Sequence, residues 1–520
     1  MESTDGRQDP RAEEDLTSDT PAAIPAVPAG SSAAAGRRQR LAVLVGFNGL
    51  AQIAPMLATL AITPLLLARL GLDRFGIWAL ALVILSTLTA LDGGVSASLA
   101  RFFALYAARG DRAEMARLLL GGLLVFVALG LLLAAIAFPL GPWLVGLVDM
   151  PADLRQEAVV LLRWLPLLAM IALMSDATAA LLQGTGRFRA LAAAMSASAA
   201  TYVLAVVILV QPGAHLETLV AASGLRYGVL LLTGLLAGAS ALSFRRPLLP
   251  TRGTRREIGR YASRMQVSAV TGFVNGELDA LVVAAVLPVR YVGLYGIALQ
   301  AAAAARSLPL YAFAPLLTRL TMTFREQGRD AAAAEFDRLE SRWLPAVLGY
   351  AVVAVSAVGF SVPIWLGDRY AVSGAAATIL LAGFMVHVTL TGMRTCYVRA
   401  VGRPGLETRY SLVWTAGNAL LTVPLALLAG LLGVVTATAT AGIVASTYFV
   451  VLCRRRERLP FVLPPLRWWG LAALASGITV AGELALLQTG LHGFLGLALA
   501  GVPALVGLSV LGKDLRRARG

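Results

Sequence analysis

Five charged residues stand where charge is costly. Arg226 and Arg306 fall inside long apolar stretches, Arg101 near the end of another, and Glu277 and Asp279 together in a fourth. An ionised side chain within a bilayer costs at least about 2.5 kcal/mol even on lenient insertion scales, so each needs a purpose or a partner. The planar fork of arginine stays charged and grips phosphate oxygens two at a time, which makes Arg101, Arg226 and Arg306 candidate anion ligands. Glu277 and Asp279 are candidate lining residues of the same cavity. The competing reading pairs one of them with Arg306, on the next antiparallel helix at similar depth. Two residues apart, they cannot share a helical face, so one can pair while the other faces a cavity. Asp92 either acts in the site or caps a helix break at Gly93-Gly94. His387 either couples a proton or bonds between helices. Arg394, near a helix end, reads as a snorkelling cation.

These residues must be positioned by membrane helices. Of the 520 residues, 58% are hydrophobic and 14% charged, against about a quarter charged in soluble chains. The apolar residues gather into blocks near 41–68, 77–100, 118–140, 158–183, 190–211, 217–244, 265–288, 292–317, 343–365, 373–398, 410–428, 432–453, 468–488 and 493–512. Each is roughly the 20 residues that cross a bilayer. The expected fold is therefore all-α: a polytopic membrane protein of about 14 transmembrane helices.

The net charge of +15 is nearly all arginine, Lys513 being the only lysine. Alternate loops are basic, as expected when cations collect on the cytoplasmic side and both termini lie there. That accounts for the charge without nucleic acid. Residues 1–36 read as a disordered cytoplasmic tail. The segment 318–342 reads as an amphipathic surface helix using Phe324 and Phe336 as membrane contacts. Cys396 and Cys453 stand far apart with no metal-ligand spacing, so neither metal nor cofactor is expected.

A repeat divides the chain. Arg74-Phe75-Gly76-Ile77-Trp78 is echoed by Arg290-Tyr291-Val292-Gly293-Leu294-Tyr295, matching Gly76 to Gly293 and Trp78 to Tyr295. Arg109-Gly110-Asp111 corresponds to Gly328-Arg329-Asp330, and Gly186-Arg187 to Gly402-Arg403. The repeat implies two pseudo-symmetric six-helix lobes, 37–244 and 265–453, in the same orientation about an axis along the membrane normal. Basic linkers fill 245–264 and 454–467. Two further helices occupy 468–512, and 513–520 is a tail. Such lobes imply a cavity between them and alternating access.

Pro64-Leu-Leu-Leu-Ala-Arg-Leu-Gly71, Phe75-Gly-Ile-Trp78, Leu91-Asp-Gly-Gly-Val95, Arg101, Ala108-Arg-Gly-Asp111 and Val292-Gly-Leu-Tyr295 resemble the Wzx-like polysaccharide flippases of the multidrug/oligosaccharidyl-lipid/polysaccharide exporter superfamily. The resemblance spans about residues 41–460. It implies a V of two lobes in the bacterial inner membrane. It also implies turning of polyprenyl-diphosphate-linked oligosaccharide from the cytoplasmic to the outer leaflet, for surface or exopolysaccharide synthesis. Expected partners are the lipid-linked substrate, membrane lipids, glycosyltransferases and a polysaccharide polymerase, with the flippase itself a monomer. The diphosphate would then meet the candidate arginines. A drug exporter of the same superfamily is the alternative, and would want acidic residues dominating its cavity. An integral-membrane polymerase fits less well. The longest outer loop, about 141–157, is too small for one, and no nucleophile–base constellation or phosphate-binding glycine loop marks an enzyme.

Overall fold

The computed structural model describes residues 31–90, 92, 95–243, 256, 259, 276–311, 313–460, 466–489, 501, 505, 506, 509 and 510. Side-chain surroundings are described from residue 53, apart from 97, 314, 469 and 483–489. Residues 1–30 and 513–520 of the tails, most of the 245–264 linker, the first part of the seventh expected helix, and most of the fourteenth lie outside these residues; residues 31–36, expected to be disordered, are helical and continuous with the first span. Residues up to Phe47 form one compact unit and Asn48 onward another, and the second holds the buried core of the described residues.

Among the described residues the chain is helical throughout: α1 (Ser31–Ala90), α2 (Val95–Ala108), α3 (Arg112–Gly146), α4 (Arg155–Gly184), α5 (Phe188–Leu209), α6 (Glu217–Gly238), α7 (276–286), α8 (Arg290–Leu310), α9 (Phe313–Leu366), α10 (Ala371–Ala400), α11 (Gly405–Glu457) and α12 (Leu466–Thr489). Among the described residues, eight helical runs are long and apolar enough to cross a membrane. Three of these exceed one crossing and break internally, at Gly71, Gly328 and Ala429-Gly430.

Two breaks are demonstrable reversals. About Gly328, Arg319 meets Glu335 at 2.5 Å, Phe313 meets Trp343 at 5.5 Å between ring centroids, and the Tyr350 hydroxyl donates to the Ala305 carbonyl at 2.5 Å. About Gly430, Tyr410 meets Phe449 at 5.1 Å, and Trp414 packs on Gly442. Each set of pairs is centred on the break, as an antiparallel hairpin requires. Both glycines have positive φ, which glycine adopts without steric cost.

The repeat is visible in the backbone. Positive-φ glycines recur as Gly110/Gly328, Gly186/Gly402 and Gly213/Gly430, separated by 218, 216 and 217 residues (328 less 110, 402 less 186, 430 less 213). A 3-10 turn precedes both α4 (Ala152–Leu154) and α10 (Asp368–Tyr370). Both helices end in the same Schellman turn: Arg187 N–H donates to Leu182 O, and Arg403 N–H to Val398 O, each at 2.8 Å. Helix α4 packs on α2, α3 and α6, while α10 packs on α8, α9, α11 and α12. Each is the central helix of its lobe.

The buried core shows how the lobes meet. One continuous cluster draws on both repeats, from Ile62, Trp78, Leu165 and Val210 to Val289, Tyr295, Tyr370 and Leu431. Toward the other end it divides. Leu99, Phe103, Met115 and Leu181 form a core of the first lobe alone. Leu320, Phe336, Tyr397 and Phe449 form a core of the second. Among the described residues the core is closed at the end bearing the Gly71, Gly213 and Gly430 turns and split at the end bearing Gly110, Gly186, Gly328 and Gly402. Helix α12 docks on the second arm of α9, with Trp468 against Leu348 and Val352 and the Thr479 hydroxyl 3.3 Å from Ser356 O.

Two expectations need correction. Phe336 is fully buried in the second lobe, edge-on to the Tyr397 ring at 5.5 Å, and Phe324 packs against the same cluster. The segment carrying them folds back onto the lobe because its apolar stripe finds a protein partner. Arg394 does not snorkel: it is 2% exposed, pairs with buried Glu340 at 2.6 Å, and donates to Leu390 O.

Candidate functional site

Each lobe carries its own set of polar groups. In the first, Asp176 projects from the middle of α4 with an exposed side chain, within Coulomb range of Asp92 and Arg226. The Arg226 guanidinium lies 5.2 Å from the Tyr202 ring and 5.3 Å from that of Tyr227. An exposed carboxylate beside two charged residues from other helices marks a polar face. Asp92 also caps α2: its Oδ2 accepts from Ser96 N–H at 2.9 Å, which satisfies a donor that the helix start leaves free. Arg101, on α2 toward the split end, is exposed, 5.8 Å from the Phe102 ring.

In the second lobe, α7 aims Glu277 and Asp279 to different sides. Glu277 is half-buried and bonds Ser86 of the first lobe. Asp279 is 3% exposed. Its Oδ1 accepts from Asn418 Nδ2 at 2.8 Å, and its Oδ2 from the Tyr295 hydroxyl at 3.2 Å and from the Thr438 hydroxyl. The Thr422 hydroxyl lies 3.0 Å from Asn418 Oδ1. These donors come from α8 and from both arms of α11, and all are neutral. A buried carboxylate compensated only by dipoles remains costly, so a nest of neutral groups of this kind suits a proton or a small hard cation.

Arg306 stands apart from both acids. Its guanidinium lies 4.3 Å over the Phe384 ring, its Nε is buried without a partner, and it makes no ion pair among the described residues. The ion pair with Glu277 or Asp279 that sequence depth allows is therefore absent there, because those carboxylates are taken by Ser86 and by the α8–α11 donors. Arg306 is within Coulomb range of His387 and Tyr410. The His387 ring is parallel to that of Tyr410 at 5.6 Å and tilted on Trp414 at 4.8 Å. His387 Nδ1 lies 2.9 Å from the Tyr410 hydroxyl, 3.2 Å from Thr391 Oγ1 and 3.3 Å from Ser446 Oγ. It thus joins α10 to both arms of α11.

Sequence reasoning missed Tyr295, Tyr410, Trp414 and Thr438 as members of this region. Four residues of this region carried a readable signal. Tyr410, Trp414 and Asn418 recur at four-residue spacing, and Thr422 continues the series, which places them on one face of a helix.

No protein-family model matches the chain, and no curated protein matches it in sequence. Solved structures do. An inward-facing multidrug resistance MATE family transporter of the MOP superfamily matches with a TM-score of 0.64 at 14% identity, over 78% of this chain and 94% of that one. The lipid II flippase MurJ, in an inward closed conformation, gives 0.63 at 12% identity, over 90% and 99%. The MATE multidrug transporter DinF-BH, in complex with R6G, gives 0.55 at 16%, over 81% and 96%. The chain has the polytopic all-α fold of the MOP-superfamily membrane transporters.

Proposed function

We propose that this protein is a flippase. It moves polyprenyl-diphosphate-linked oligosaccharide from the cytoplasmic to the outer leaflet of a bacterial inner membrane, by alternating access, for surface or exopolysaccharide synthesis. The observation carrying this reading is Arg306: a guanidinium stacked on Phe384 with no acidic partner among the described residues. Such a group attracts phosphate and repels a cationic drug. Arg226 and Arg101 add cations in the first lobe. The neighbours' lengths support the same choice. The lipid flippase aligns with 90% of this chain, whereas the two multidrug transporters align with 78% and 81%.

The split end carries Arg109, Arg112, Arg187, Arg189, Arg399, Arg403 and Arg409, and the closed end far fewer cations. By the positive-inside rule the split end is cytoplasmic, so this is the loading state. Asp279 is the residue we assign to a coupling proton or cation, since a buried carboxylate that meets only neutral donors gains stability when it is neutralised in part of the cycle. The expected setting is beside glycosyltransferases and a polymerase, with the flippase as a monomer.

A drug-exporter reading has one supporting observation, the exposed Asp176. Deleting the gene and resolving polyprenyl-linked glycans by leaflet decides between them. Complete repeat units trapped on the cytoplasmic face support the flippase. Unchanged glycans, with no redundant flippase, return the drug exporter.

A further inference from the structure

We infer that Trp414, with His387 and Tyr410, forms a saccharide subsite that reads the first sugar of the substrate beside the Arg306 anion receptor. The subsite rests on the flippase reading.

The covalent order of the substrate fixes what the subsite meets. In a polyprenyl-diphospho-sugar the first ring is joined directly to the second phosphate. Whatever lies next to the phosphate receptor therefore meets that ring. Phe384 lies beneath the Arg306 guanidinium at 4.3 Å; His387, one helical turn along α10 from Phe384, and Tyr410, stacked on His387, are within Coulomb range of the same guanidinium. Trp414 extends the same wall, 4.8 Å from His387 and 6.0 Å from Tyr410. Phe384 and Tyr410 are buried, whereas Arg306, His387 and Trp414 are half-buried and keep accessible surface.

The composition of this wall selects its occupant. Flat aromatic faces accept the C–H face of a pyranose, and hydroxyl and imidazole groups at their edges bond its hydroxyls. A cationic aromatic ligand would also stack, but Arg306 would oppose it, and among the described residues the acid that acts on His387 or Tyr410 is Glu407, which acts on Tyr410 alone. The wall is rigid. The Trp414 indole edge is wedged against Gly442, where an added Cβ would come within 3.3 Å of it. His387 is fixed by Thr391, Tyr410 and Ser446. A ring held in one orientation pays little entropy on stacking and so discriminates among sugars.

The test measures binding of two soluble probes to the full-length protein in nanodiscs: citronellyl diphosphate, and citronellyl diphosphate bearing a single N-acetylhexosamine. Wild type is expected to bind the glycosylated probe at least about tenfold more tightly, a difference of about 1.4 kcal/mol. Trp414→Ala should abolish that preference while leaving the bare diphosphate within about twofold, and Trp414→Phe should keep most of it. Arg306→Gln should weaken both probes. A wild type that binds the two probes equally overturns the subsite but leaves the flippase reading standing. So does a Trp414→Ala protein that keeps the full preference. A wild type that binds neither probe overturns both. If Trp414→Ala fails to fold, the wild-type preference and the Trp414→Phe comparison still decide the matter.

Discussion

Gly76 and Gly293, equivalent positions in the two repeats, pack directly against each other at the closed end. A Cβ on Gly293 would lie 3.2 Å from Gly76 Cα, and one on Gly76 would lie 2.3 Å from the Val289 carbonyl oxygen. The backbones of two lobes touch where neither has a side chain, so under the proposed alternating access this crossing would serve as both seal and pivot. Gly76→Val must force the lobes apart there. Overpacking costs about 1–3 kcal/mol, enough to move a two-state equilibrium about 5- to 150-fold. Spin labels at Ala152 and Arg369, one per lobe at this end, are expected to report longer distances in the variant. An unchanged distance distribution would show that the crossing is not a pivot.

Asp279 offers a second test, because its partners are all neutral. Asp279→Asn removes the charge and keeps the shape. The variant is expected to stay folded, to melt no lower than wild type, and to lose any dependence of transport on the coupling ion. Asp279→Ala should instead cost about 1–3 kcal/mol by orphaning buried donors. Melting curves across sodium concentration and pH would separate the candidates: stabilisation by sodium in wild type alone marks a sodium site. Ion-dependent transport retained by Asp279→Asn would end the assignment.

Much of this architecture was legible because it depends on strong, local signals. Apolar block length and loop arginines locate the spans. The glycines at 110, 186, 328 and 402 could be matched because positive φ leaves few alternatives to glycine. The partners of the charges were not legible. Depth and helix adjacency place Arg306 near Asp279, but helix rotation turns Asp279 toward Tyr295, Asn418 and Thr438, and rotation comes from packing. Phe336 misled for a related reason: an amphipathic stripe looks the same against lipid or protein. The repeat also sets backbone rather than chemistry. Its spacing of 217 residues, from Gly213 to Gly430, equates Asp279 with Ile62 and Arg306 with Thr89. The lobes share a frame and differ in charge.

The Arg394–Glu340 pair predicts a stability effect separable from transport. Both side chains are nearly inaccessible, at 3% and 1%. Removing one partner strands a buried charge, so Glu340→Ala should destabilise by about 3–5 kcal/mol, whereas Glu340→Leu with Arg394→Met should recover most of the loss. Unfolding in mixed micelles, run as a double-mutant cycle, measures the coupling. A single variant within about 1 kcal/mol of wild type would mean that the pair is weakly coupled despite its burial.

Arg306 provides the sharpest contrast, because it has no ion pair to lose among the described residues. Its replacement by glutamine removes a desolvated charge and leaves no acid stranded. Arg306→Gln should therefore insert and melt at or above the wild-type temperature, yet translocate lipid-linked glycan at a small fraction of the wild-type rate. Arg306→Lys keeps the charge but loses the fork and the flat stack on Phe384, so an intermediate rate is expected. Arg226→Gln differs. Arg226 is within Coulomb range of Asp176, so its loss removes a cation that offsets this carboxylate while the repulsion from Asp92 stays, and both stability and transport should fall. Leaflet-resolved glycan assays on the three proteins, with melting curves on the same preparations, separate the roles. Wild-type transport by a stable Arg306→Gln protein would remove the anion receptor from the mechanism, and with it the main argument against a cationic cargo.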